Sequence, residues 1–84
     1  MEENNLYLKA FCRNVHRLRK EHGLSQKEMA RIMGIGVGSL RKVEQGTVPP
    51  RMDILVLRNL TLHFSIPISS LFWDEENKQD FTEP

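Results

Sequence analysis

The chain has 84 residues, 39% hydrophobic and 27% charged, with a formal net charge of +1. That is the size of one domain, and a domain so small buries only about 60–65% of its unfolded surface, so it needs an efficient core or a partner. One cysteine, Cys12, excludes an internal disulfide. The opening Glu2 and Glu3 do not resemble a signal peptide, and no apolar run approaches the roughly 18 residues of a membrane span, so the cytoplasm is the expected compartment. The small net charge hides an asymmetry. Residues 1–72 carry eleven basic and six acidic side chains, a net +5, whereas residues 73–84 carry Lys78 against five acids, a net −4. A basic body with an acidic tail has the electrostatic footprint of a nucleic-acid binder.

The first predicted helix runs from about Asn5 to His22 and stops at Gly23, a glycine suited to a left-handed terminus. Leu8, Phe11, Val15 and Leu18 recur at steps of three, four and three and share one face. Lys9, Arg13, Arg17 and Lys20 lie away from it. The second helix starts at a capping box, in which Ser25 and Glu28 each accept from the other's backbone amide. It ends at Gly34, and a third follows from Gly36 or Val37 to Gln45, stopped by Gly46. Thr47 to Pro50 is a stiff connection, since proline restricts itself and its predecessor. A fourth helix spans about Met52 to Phe64, with Asp53 placed to suit its positive end. After the break at Ser65 to Pro67, Ser69 to Phe72 allows one more helical turn. No strand-like alternation follows, and residues 73–84 read as an acidic, mobile tail.

Counted from Gln26, Ala30 is fifth, Gly34 ninth, Leu40 fifteenth and Val43 eighteenth. Ala30 is small where two helices cross closely, Gly34 permits a sharp turn, and Leu40 and Val43 form the buried side of the second helix of the pair. Two short helices joined by a tight glycine turn make a helix-turn-helix, whose second helix enters a major groove.

The runs Leu24-Ser25-Gln26-Lys27-Glu28-Met29-Ala30, Gly34-Ile35 and Val43-Glu44-Gln45-Gly46 resemble the XRE family, the Cro/lambda-repressor-like regulators, over about residues 8–72. The resemblance implies an all-α, five-helix domain over 1–72, acting as a DNA-binding transcriptional regulator rather than an enzyme. It implies an ion pair between Arg19 and Glu44, and a phosphate contact at Gln26, where helix N-termini favour anions in any case. It also implies base reading at the start of the third helix, at positions held here by Gly36, Val37 and Gly38, with Lys42 at a base-reading position and Arg41 nearer phosphate. Ser39 is expected to add a hydroxyl to the phosphate contacts. Thr47 and Arg51 correspond to further phosphate contacts, across a loop about two residues longer than the family's usual one.

Two departures from the pattern carry meaning. Val37 and Gly38 have no hydrogen-bonding side chain, so they make no bidentate base contact, although valine can touch a thymine methyl. Affinity is then expected chiefly from phosphate contacts. Leu55 and Leu62 sit opposite the expected core set of the fourth helix and are candidates for a homodimer interface. The expected core is Leu18, Ala30, Leu40, Val43, Ile54, Leu57 and Leu60. The competing reading is a protein-interaction module that keeps this fold without sequence-specific DNA reading. Cys12 and His16 lie one turn apart but lack the further ligands of a zinc site, and no nucleophile elbow or paired carboxylates are present. No metal, cofactor or small-molecule ligand is expected; the expected partner is double-stranded DNA.

Overall fold

The computed structural model describes residues 2–48, 53–74 and 79–80, with side chains at 6–48 and 53–73. Helix α1 spans Glu2–Glu21, α2 Gln26–Met33, α3 Val37–Glu44 and α4 Ile54–Phe64. The fifth helical element is a single 3-10 turn at Ile68–Leu71. The architecture is all-α, and no helix among the described residues is long and apolar enough to cross a membrane. One expectation is corrected. No sheet was foreseen, yet β1 (Trp73–Asp74) pairs antiparallel with β2 (Gln79–Asp80) in a two-residue ladder.

Local chemistry sets both ends of α2 and the start of α4. Ser25 caps α2 through the full reciprocal box, its Oγ accepting from the Glu28 amide at 3.0 Å while its own amide donates to Glu28 Oε1 at 2.8 Å. Gly34 closes α2 with φ 79°, and a Cβ there would meet Asn59 Nδ2 at 3.1 Å. That amide donates to the Met33 carbonyl at 3.0 Å, so the turn before α3 is tied to α4 as well as bent. Asp53 caps α4 by accepting from the Leu55 amide at 2.9 Å.

The core gathers Phe11, Val15 and Leu18 from α1, Met29, Ala30 and Met33 from α2, Leu40 and Val43 from α3, Val56 and Leu60 from α4, and Leu71. Ile54 does not belong to it and is 73% exposed. The apolar run Ile54-Leu55-Val56-Leu57 carries no polar residue to mark the outward face, so sequence spacing did not fix the rotational phase of α4. Val56 takes the place expected of Ile54, and Leu57 packs only partly buried against the core. Leu8, expected on the buried face of α1, is 41% exposed.

One buried polar residue anchors the end of the domain. Asn14 Nδ2 donates to the carbonyls of Leu71 and Trp73, each at 2.8 Å. Phe72 stacks on Phe11 with centroids 5.9 Å apart. Together these contacts lay the segment after the 3-10 turn along α1.

Candidate nucleic-acid interface

Leu40 and Val43 turn fully inward against α2, and this fixes which face α3 offers to solvent. Gly36, Gly38, Arg41, Lys42 and Gln45 are exposed along it, and Ser39 is half-buried. Gly36 caps α3 without any side-chain bond, so no side chain satisfies the free amides of its first turn from the cap position. Val37 is half-buried against the core, which leaves only part of its side chain on the surface. Thr47 is exposed just past Gly46, which turns with φ 98°. Arg51 lies outside the described residues.

A carboxylate joins three elements behind this face. Glu44 Oε2 accepts from Arg19 Nε at 2.6 Å, and Oε1 accepts from Arg19 Nη2 at 3.0 Å, a bidentate pair. The Arg19 and Glu44 side chains are 13% and 7% exposed. Arg19 Nη1 also donates to the Leu24 carbonyl at 3.0 Å, which ties the turn before α2 to the end of α1. The same Glu44 Oε1 accepts from Gln26 Nε2 at 3.1 Å and faces His16 Nδ1 at 3.2 Å. Burial alone would raise the Glu44 pKa, but hydrogen bonds from Arg19, Gln26 and His16 and the charge of Arg19 outweigh it and hold the carboxyl below its ordinary range. Gln26 continues the chain of contacts outward, its Oε1 accepting from Arg41 Nε at a long 3.4 Å.

The arrangement preorganises a surface more than it reacts. Gln26, at the positive end of α2, is held by Glu44 and touches Arg41 on α3, so the anion-favouring helix terminus and the exposed cations of α3 share one face. The Arg19–Glu44 pair expected from the resemblance is present, and the structure adds Gln26 and Arg41 to it in one network. His16, which the sequence offers only as a possible metal ligand beside Cys12, faces Glu44 instead. Among the described residues no three His, Cys, Asp or Glu side chains gather in a metal-binding group.

One feature of this region was not foreseen. A cleft of about 420 Å³ lies between α1 and the end of α3, lined by Lys9, Cys12, Arg13, His16, Glu44, Gln45 and Gly46. The spacing of the basic residues of α1 sets them outside its buried face, and nothing in it shows that the turn after α3 lies beside them.

A helix-turn-helix family profile matches residues 15–57, just over half of the chain. The chain belongs to the XRE-type helix-turn-helix family. The matched segment of this helix-turn-helix protein runs from the middle of α1 to the first turn of α4 and so contains the Arg19, Gln26, Arg41 and Glu44 network. Among known proteins it is similar to the cryptic phage CTXphi transcriptional repressor RstR of Vibrio cholerae, with 30% identity over 70 residues. That similarity covers 83% of this chain but 61% of the relative, so the chain matches less than two thirds of the repressor's length. No solved structure matches the chain.

Proposed function

We propose that the protein is a DNA-binding transcriptional regulator that lays α3 in the major groove of double-stranded DNA. The observation that carries this reading is the outward face of α3, where Arg41 and Lys42 stand exposed while Leu40 and Val43 lock the helix to the core. Such a helix is rigidly backed and positively faced, as groove insertion requires. Gln26 and the N-terminus of α2 hold a phosphate beside it. Arg41 chiefly grips the backbone, and Lys42 also reads a base edge. Val37 and Gly38 add no hydrogen-bonding side chain, so phosphate contacts supply most of the affinity. The similarity to a phage repressor supports the same reading.

The regulator acts as a homodimer on two half-sites, with recognition helices about 34 Å apart, one turn of duplex. Leu55 and Leu62, 56% and 64% exposed on α4, are apolar side chains available for that contact. Its place of action is the cytoplasm. A mobility-shift titration with DNA from the protein's own promoter region, repeated over a range of salt, tests the function. Retardation that weakens steeply with salt supports it, and absence of binding at every salt concentration refutes it. Sedimentation equilibrium, free and on DNA, tests the dimer; a monomer in both conditions refutes it.

A further inference from the structure

We propose that α1 carries a second phosphate-binding strip, formed by Lys9 and Arg13 with His16 behind them, that grips the DNA backbone beside the segment entered by α3. This rests on the DNA-binding reading above and extends its footprint to a helix outside the helix-turn-helix unit.

Lys9, Arg13 and His16 follow one another at steps of four and three, so they form one stripe along α1. The fold turns that stripe toward the end of α3, because all three line the cleft whose other wall is Glu44, Gln45 and Gly46. Lys9, Arg13 and His16 are all exposed, and His16 keeps its Nδ1 on Glu44 at 3.2 Å.

Position relative to the proposed DNA face follows from one shared atom. His16 Nδ1 and Gln26 Nε2 both lie against Glu44 Oε1, at 3.2 and 3.1 Å, which makes the two side chains immediate neighbours. Gln26 in turn touches Arg41. The stripe on α1 therefore continues the line of polar groups from Arg41 through Gln26 instead of standing on a separate side of the molecule. A duplex backbone resting on Gln26 and the turn at Gly46 passes the mouth of this cleft.

The one acid in the cleft, Glu44, does not spoil it for an anion. Its carboxylate is 7% exposed and is matched by the bidentate Arg19 guanidinium, so its charge is spent internally. Lys9 and Arg13 are the exposed cationic side chains of the wall that α1 supplies. A phosphodiester suits such a strip, since it is singly charged, repeats along the strand and needs no base-specific contact.

The test is a salt titration of binding to a mixed-sequence duplex of about two helical turns, comparing the parent with Lys9→Gln/Arg13→Gln. Each phosphate contact contributes about 0.9 to the slope of log affinity against log salt, so the double variant should flatten that slope by nearly two units. The loss should be the same on every sequence, and restoring charge with Lys9→Gln/Arg13→Lys should recover about one unit. Lys9→Gln alone, at an exposed position, should cost about one unit and guards against a folding defect in the double variant. Arg58→Gln on α4 removes one charge elsewhere and should leave the slope unchanged. A parent slope in the double variant, while Arg41→Ala/Lys42→Ala weakens binding, overturns the strip and leaves the DNA-binding reading standing. A loss confined to particular sequences overturns it too, because base reading is then at work. If the parent binds no duplex, both readings fall together.

Discussion

Gln26 Nε2 donates to Glu44 Oε1 at 3.1 Å, so the residue that opens α2 is held by the carboxylate that Arg19 grips from α1. The relationship links stability to the proposed DNA surface. Whatever disturbs Glu44 loosens the positioning of Gln26 as well as the packing of α1 on α3.

Removing one member of the Arg19–Glu44 pair strands the other charge in a largely buried site. Glu44→Ala or Arg19→Ala should each cost about 3–5 kcal/mol, measured by chemical denaturation. The double variant Arg19→Met/Glu44→Leu should cost much less than the sum of its parts, since no lone charge remains. Additive losses would contradict the pairing.

The same carboxylate makes stability depend on pH in a defined direction. Its folded pKa lies below that of the unfolded chain, so the unfolded state takes up the proton first as the solution is acidified. The stabilisation is complete above the ordinary carboxylate range, around 4.3–4.5, and is lost as pH falls through the lower folded value. Melting temperatures recorded between neutral and strongly acid solution should therefore fall more steeply for the parent than for Glu44→Gln. Parallel curves would contradict the account.

The phase of α4 can be checked by two truncations. Val56→Ala removes methyl groups from a 4% exposed site and should cost about 1–2 kcal/mol. Ile54→Ala acts at a 73% exposed site and should change stability by less than about 0.5 kcal/mol. Leu40→Ala, at a fully buried site, should cost about 2–5 kcal/mol and can unfold a domain of this size. Equal effects at positions 54 and 56 would refute the observed phase.

Asn14 offers a separate test at the end of the domain. Asn14→Ala removes the donor to the Leu71 and Trp73 carbonyls and should destabilise by about 1–3 kcal/mol. Trp73 is the single tryptophan, so its fluorescence should shift toward that of a water-exposed indole. An unchanged spectrum would contradict the anchoring.

Much of the helical framework was legible because it rests on local chemistry. Ser25 and Glu28 announce the start of α2, Gly34 its end, and the fixed offsets to Leu40 and Val43 define the buried side of α3. The family resemblance also paired Arg19 with Glu44, whose side chains meet across the core. What escaped depends on tertiary packing. An unbroken apolar run hid the phase of α4, and Asn14 looked like any polar helix residue until two carbonyls from a distant turn were seen to meet it. The α1 strip escaped for the same reason: Lys9 and Arg13 are ordinary surface cations until the fold sets them across a cleft from Gly46.

The central claim is that α3 holds DNA through its exposed cations. It is tested most directly by the salt-dependent affinity of Arg41→Ala and Lys42→Ala for promoter-region DNA, measured beside the parent. Each variant should bind more weakly, and Arg41→Ala should flatten the salt slope by about one unit on every sequence. Lys42→Ala should also relax preference at one base pair, where a mismatch is worth about 1–3 kcal/mol. If the double variant Arg41→Ala/Lys42→Ala stays folded and binds every duplex as tightly as the parent, α3 is not the recognition element.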